Sequence, residues 1–349
     1  LTRSLDSIFG ECAESFNVVD VTQPTDNYLA SQNIQSYYFK SRWPLLKSLS
    51  LSTGMRYEQS SQKVDSFDRF SNQGVFTELI TKDWLPGTSL TWKMNKKMQI
   101  RMAYSETISR PDLRELSNNV WQDFERGFEV SGNPDLKATV IESYDARWEW
   151  YFAPRENLSF GVFYKDFLNP IEQEFRSGSD PQLVFFNAQG AQVYGAEVEL
   201  SKRLGFLGSL FRRFTLAGNY AAIVSQVDLG SLDNFETNYT NRPLQGQSNY
   251  TANVLLDYEH EPWALNASLA YNVYGKRIAW MESEGLPPVW ELPFHQLDFV
   301  ISKRFAKNFR VGAKFKNILD PKATFVQGDQ VKQELKKGQA FTLGVSIGI

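Results

Sequence analysis

Apolar and polar positions alternate strictly along most of the chain, and a sustained 3.6-residue period is nearly missing. In the final segment Phe341, Leu343, Val345, Ile347 and Ile349 take one face, and Thr342, Gly344, Ser346 and Gly348 the other. Leu49, Leu51, Thr53, Met55 and Tyr57 alternate with Ser50, Ser52, Gly54, Arg56 and Glu58. Tyr144, Ala146, Trp148 and Trp150 alternate with Asp145, Arg147 and Glu149 in the same way. A period of two predicts strands, here near 31–42, 47–58, 87–94, 98–107, 139–151, 157–167, 191–201, 213–226, 248–258, 263–274, 294–304, 308–317 and 341–349, about 13 in all.

The links between these segments alternate in length. Short ones fall around Pro44, Asn95–Lys97, Ala153–Arg155, Glu259–Pro262 and Ala306–Lys307, and a somewhat longer one surrounds Gly205–Arg212. Long polar connections lie near 59–86, 108–138, 168–190, 227–247, 275–293 and 318–340. A sandwich strand also carries a polar face, but a sandwich has no reason to keep this rhythm over so many hairpins. Short turns on one rim and long loops on the other predict an all-β fold, a transmembrane antiparallel β-barrel. Trp43, Tyr151, Phe152, Trp263 and Phe305 gather at the short turns, as an aromatic girdle at a membrane boundary would.

With short turns in the periplasm, the last strand ends there at Ile349, and about 13 strands place the start of the first one outside. Single-chain bacterial barrels have an even strand number. Residues 1–24 are therefore expected to be an extracellular loop or the end of a preceding strand, and 25–349 the C-terminal part of a larger barrel.

Composition narrows the chemistry. Lys and Arg total 37 against 40 Asp and Glu, a net charge of -3, so the chain has no basic footprint for nucleic acid. Aromatic residues reach 14%, yet no apolar run approaches the ~18–20 residues that a membrane helix requires. Cys12 is the one cysteine, which excludes an internal disulfide and a cysteine-based zinc site. It is a lone thiol or pairs outside these residues. There is no Gly-Xaa-Ser-Xaa-Gly elbow, phosphate loop or Cys/His metal spacing, and His260 and His295 have no nucleophile that spacing places beside them. No enzymatic activity, cofactor or metal is expected. Asp65, Asp68, Asp228, Asp233 and Glu236 lack EF-hand spacing and read as solvated loop carboxylates.

Two sets of candidate site residues remain. The connection 108–138 holds Arg110, Trp121, Phe124 and Arg126, and arginine beside aromatics suits glycans or anionic chelates at a substrate-facing lip. The competing reading is that Ser109-Arg110-Pro111 sets the exit geometry of the loop, because proline presets φ. Arg56, Glu58, Arg101, Asp145, Arg147 and Glu149 fall on the polar face and are expected to line the lumen. There they serve a translocation path, or bond one another or a plug, since a polar lumen is the barrel default.

Several segments, taken in order, resemble the C-terminal barrel of TonB-dependent outer-membrane receptors, in the form common in Bacteroidetes-like bacteria. They are Glu106-Thr-Ile-Ser-Arg-Pro-Asp-Leu-Arg-Glu-Leu116, Gly132-Asn-Pro-Asp-Leu136 with Glu142–Tyr151, and Gly195-Ala-Glu-Val-Glu-Leu200. Asn241-Arg-Pro-Leu-Gln-Gly-Gln-Ser248, Tyr271–Ile278 and Lys316-Asn-Ile-Leu-Asp320 complete the set. The resemblance implies a 22-stranded barrel closed by an N-terminal plug. Neither plug nor TonB-contacting box is recognisable in these 349 residues, and Ile349 stands where such barrels often carry a terminal aromatic.

The resemblance implies energised uptake, across the Gram-negative outer membrane, of a bulky scarce nutrient such as a siderophore, cobalamin, glycan or peptide. Its implied partners are TonB–ExbB–ExbD acting through the plug, the N-terminal barrel strands, the barrel-assembly machinery, a surface lipoprotein lid and the lipid bilayer. Two alternatives stay open: a self-contained passive channel of about 14 strands, and one piece of a split barrel or assembly intermediate.

Overall fold

The computed structural model describes residues 27–68, 71, 73–123, 127–176, 182–230, 241–281, 286–306 and 308–347. Expectations that concern residues 1–24, Cys12, Phe124, Arg126, Asp233, Glu236 and Ile349 lie outside the described residues.

In chain order β1 (Leu29–Pro44), β2 (Leu49–Phe67), β3 (Gly74–Lys93) and β4 (Met98–Ser109) come first. The short β5 (Val120–Asp123) and β6 (Phe128–Ser131) precede β7 (Thr139–Ala153) and β8 (Glu156–Leu168). Next come β9 (Ile171–Arg176), β10 (Gln182–Asn187), β11 (Gly190–Arg203), β12 (Phe214–Asp228) and β13 (Asn241–Arg242). β14 (Tyr250–His260), β15 (Leu265–Tyr274), β16 (Arg277–Trp280) and β17 (Val289–Glu291) follow. The series ends with β18 (Phe294–Ala306), β19 (Phe309–Lys316), β20 (Lys322–Gln327), β21 (Gln330–Lys336) and β22 (Ala340–Ile347).

Thirteen of these form one antiparallel sheet in the order β1-β2-β3-β4-β7-β8-β11-β12-β14-β15-β18-β19-β22, and β13 adds to β12. Each matches one of the stretches that the alternation predicts. Within this sheet β1 pairs with β2 alone and β22 with β19 alone.

Register explains why the alternation is so regular. Leu49, Trp92, Ile100, Trp148, Phe160, Val198, Tyr220, Ala252 and Val273 occupy consecutive paired positions across nine strands. They form an apolar row on the convex face. A one-residue slip in any strand would turn its whole set to the opposite face, so the shared apolar face pins every register at once. The other face carries Gln99, Glu149, Ser159 and Glu199 in the equivalent row.

Two glycines serve this concave face. Gly161 pairs with Glu197 and Gly195 with Phe163 on neighbouring strands. A Cβ on Gly195 would stand 2.3 Å from the Ala222 carbonyl oxygen and 2.6 Å from the Phe163 ring. The glycine lets the aromatic ring lie flat across the strand beside it.

Three expectations change. The stretch 59–86 is mostly strand rather than loop, because β2 runs on to Phe67 and β3 begins at Gly74. Polar residues on both faces, such as Gln59-Ser60-Ser61-Gln62-Lys63, erase the alternation while the hydrogen-bond ladder continues. The long connections, expected to be polar loops, hold small sheets of order β5-β6-β10-β9 and β16-β17-β20-β21. Tyr151 leaves the girdle: it turns to the concave face and its hydroxyl donates to Glu149 Oε2 at 2.9 Å.

A second aromatic row appears on the convex face nearer the long loops. Tyr104, Tyr144, Tyr164 and Tyr194 are direct partners across four adjacent strands.

Candidate functional site

The polar face and the long loops converge on the concave side of the sheet. At its β2–β4 end Arg110 follows β4 directly and reaches back over the wall. Its Nη1 lies 2.9 Å from Glu58 Oε2 and its Nη2 3.0 Å from Asp83 Oδ2, while Nε donates to Thr81 Oγ1 at 3.1 Å. Arg56 Nε closes the group on Glu58 Oε1 at 2.6 Å. The next residue, Pro111, accepts a 2.8 Å hydrogen bond from Gln62 Nε2 through its carbonyl. A planar fork holding two carboxylates fixes the direction in which the chain leaves β4. The geometry therefore displays the bracing role weighed for Ser109-Arg110-Pro111. Arg110 also borders a cleft of about 840 Å³ along the β1–β4 face, shared with Tyr38, Lys40, Arg56 and Ser105.

A second network lies lower on the wall. Arg101 and Arg147 stand directly opposite each other on β4 and β7. Like charges in that position repel, and Glu149 relieves them, 3.3 Å from Arg101 Nη2 and 3.6 Å from Arg147 Nε. Arg147 also bonds Glu197 Oε1 at 3.2 Å, Ser159 Oγ at 2.7 Å and the Glu199 carboxylate. Asp145, two positions along β7, sits opposite Ala103 on the same face. All six residues expected to line the lumen thus share the concave surface, and five of them lie in two charge networks.

Above the wall the long loops pack into one cap. Val64, Leu116, Val130, Leu136, Leu183, Phe185, Trp280 and Val289 form a single buried apolar cluster. These residues belong to β2, the β4–β7 connection, β10, β16 and β17, which are spread across most of the sheet order. With strands ~4.8 Å apart, such loops meet only by folding over the concavity. Trp121 belongs to this cap: Arg114 stacks on its ring at 4.1 Å, and Phe185 lies behind at 6.2 Å. Phe128 spans the two loop sheets, with its ring 6.0 Å from Trp280.

The cap is fastened by residues that the alternation gave no reason to choose. Arg242 Nη1 meets Glu172 Oε2 at 2.6 Å with both side chains buried. The Gln245 amide clasps the backbone of Gln173, accepting from its nitrogen at 3.0 Å and donating to its oxygen at 2.9 Å. Burial pushes the Glu172 carboxyl above its ordinary range, opposed by Arg242 and by a hydrogen bond from the Gln245 backbone. Arg242 and Gln245 fall in the segment Asn241–Ser248, noticed in the sequence only as part of a resemblance, and Glu172 had no signal of its own. Beneath the clasp a cavity of about 620 Å³ is bordered by Phe163, Lys165, Phe167, Glu172, Gln245 and Gln247.

The loop carboxylates shape turns. Asp68 Oδ1 accepts from the Ser71 nitrogen and hydroxyl, both at 2.7 Å, and Asp228 Oδ1 accepts from the Gly230 nitrogen at 2.9 Å. Among the described residues no group of three or more His, Cys, Asp or Glu side chains is placed to hold a metal ion.

Solved structures with a similar fold include siderophore receptors and an iron transporter. The siderophore receptor PiuA from Acinetobacter baumannii matches with a TM-score of 0.66 at 14% identity, over 92% of this chain and 44% of that one. The ferric-catecholate import receptor Fiu from E. coli K12 matches at 0.65 and 12%, over 93% and 46%. The FrpB iron transporter from Neisseria meningitidis matches at 0.61 and 12%, over 91% and 44%. The chain therefore spans less than half the length of these three structures. No curated protein sequence matches it significantly. A family model described as TonB dependent receptor-like, beta-barrel, matches residues 5–318. The thirteen-stranded sheet with its polar concave face and this match agree: the chain belongs to the TonB-dependent receptor β-barrel family.

Proposed function

We propose that these residues form the wall and outer vestibule of a receptor for TonB-dependent uptake of a bulky, scarce nutrient across the Gram-negative outer membrane. The observation that carries this reading is the cap of long loops, which share one apolar core above a polar, charge-lined concavity. Such an arrangement admits a ligand from the loop side and offers it hydrogen-bonding groups along the way. TonB–ExbB–ExbD acts through a plug that fills the concavity, and further strands complete the barrel beside β1 and β22, whose open edges lipid does not tolerate. Ferric siderophores lead the candidate substrates, because the neighbouring structures are described as siderophore and iron receptors. Cobalamin, glycans and peptides follow.

Trp121 and the Arg114 guanidinium on its ring present an aromatic and cationic surface at the cap, suited to an anionic chelate. The test is accumulation of radiolabelled iron from a panel of ferric siderophores. Iron-limited cells would carry the full-length gene, with tonB intact or deleted. TonB-dependent accumulation of one siderophore class is expected, with slower uptake in a Trp121→Ala variant. Failure of every nutrient class to show TonB-dependent uptake would overturn the reading, and steady ionic conductance from the purified protein in planar bilayers would favour a passive channel.

A further inference from the structure

The connection from β11 to β12 differs from the other short turns. It is longer, and it folds as two 3-10 turns, Leu204–Leu207 and Ser209–Arg213. A tight hairpin would bury or omit apolar residues, but this one presents them: Phe206, Leu207, Leu210 and Phe211 are 68%, 56%, 84% and 42% exposed. Neither turn buries any residue of its own. Large apolar side chains displayed together at a turn, with no core beneath them, require a covering phase.

The surroundings indicate which phase. The Phe211 ring lies 6.2 Å from Phe214, and Phe214 lies 4.9 Å from Tyr258, both on the convex row. On the other flank the Lys202 ammonium sits 4.6 Å from the centre of the Phe152 ring and 5.8 Å from that of Phe206. The patch therefore continues the apolar outer surface of the sheet at the level of its girdle. The twelve residues 202–213 contain Lys202, Arg203, Arg212 and Arg213 and no acidic residue, in a chain whose net charge is -3. Of these, Lys202 is neutralised locally, by Glu156 at 2.5 Å. Apolar side chains directed into the acyl boundary, with adjacent arginines at headgroup level, are the two signals that hold an interfacial segment.

We propose that Leu204–Arg213 is an interfacial anchor. Its Phe206, Leu207, Leu210 and Phe211 side chains enter the bilayer on the short-turn side, and Arg212 and Arg213 bind the phosphates of anionic phospholipids. Guanidinium groups near an anionic surface are drawn to it, so the two together select such lipids from a zwitterionic background. Lys202, held over two rings and by Glu156, keeps the segment flat against the girdle.

The test uses the full-length receptor with its native cysteines replaced and Leu210→Cys labelled with bimane. It is reconstituted into phosphatidylethanolamine vesicles containing brominated phosphatidylglycerol or, in parallel, brominated phosphatidylethanolamine. Heat-modifiable gel mobility checks that each sample is folded. Quenching is expected from both lipids, at least about twofold stronger with the anionic one, and Arg212→Glu with Arg213→Glu should abolish that difference while quenching persists. Equal quenching by the two lipids, unmoved by charge reversal, would overturn the phosphate assignment. A label quenched by aqueous iodide and by neither lipid would overturn the anchor. A label shielded from iodide and lipid alike would show that a protein partner covers the patch, and would overturn it too.

Discussion

Arg242 and Glu172, seventy residues apart in sequence, meet at 2.6 Å inside the loop cap, with each side chain 4% exposed. Removing one member of a buried pair leaves the other charged and unpartnered, which costs about 3–5 kcal/mol. Glu172→Ala is expected to accelerate hydrogen exchange in 171–176, 182–187 and 241–247 while the wall strands keep their protection. The double replacement Glu172→Leu with Arg242→Met should recover most of the loss. Unchanged exchange in the single variant would show that the pair does not fasten the cap.

The same carboxyl sets a pH dependence. Burial, the dominant influence, raises the Glu172 pKa above that of the unfolded chain. The folded cap therefore binds this proton more tightly than the unfolded one. Its stabilising contribution is complete below the ordinary glutamate range and is lost as pH climbs through the raised value. Exchange protection of β9 and β10 should accordingly fall as pH rises across that window, after correction for intrinsic exchange, and Glu172→Gln should flatten the profile.

Gly195→Ala tests the close contact on the concave wall. The added methyl meets both the Ala222 carbonyl and the Phe163 ring, and overpacking of this kind costs about 1–3 kcal/mol. Shaving the ring with Phe163→Ala removes one obstacle and leaves the backbone one. The double variant should consequently remain less stable than Phe163→Ala alone, as read by the urea midpoint of the heat-modifiable folded band.

Arg110→Lys keeps the charge and loses the fork that spans Thr81, Glu58 and Asp83. Loss of about 1–3 kcal/mol is expected, seen as faster protease nicking between residues 110 and 138. A lysine variant as resistant as the parent would assign the bracing to Gln62 and Pro111 instead.

The wall was legible because lipid imposes one rule on every strand: a side chain either faces hydrocarbon or it does not. Phe341 to Ile347 on β22 declare their face with no knowledge of any partner. The cap was not legible for the opposite reason. Val64, Leu116, Leu183 and Trp280 are apolar residues in stretches that look like polar loop, and their common core arises only when distant connections meet. The outer part of the β2–β3 hairpin was hidden because β2 there buries polar Ser60, Gln62 and Ser66 on one face and shows polar residues on the other, so no apolar period is displayed. Tyr104, Tyr144, Tyr164 and Tyr194 did carry a signal, one tyrosine at the same height in each of four strands, but height is defined only by register. Of the site residues, Arg110 stood out in the sequence beside Pro111, and its bonds to Glu58, Asp83 and Thr81 depend on side chains 27 to 52 residues away.

A shared core also makes the cap an energetic tollgate. Phe128, Trp280 and Phe325 tie their loops to a single nucleus, so under the proposed function the vestibule is expected to open as a unit. If that opening costs about 2.8 kcal/mol, roughly one receptor in a hundred is open at any instant, and the apparent affinity for ligand is a hundredfold weaker than the vestibule's own. Substitutions that loosen the nucleus, far from any ligand, would then sharpen binding. Tight capture and slow capture would be two settings of one apolar cluster.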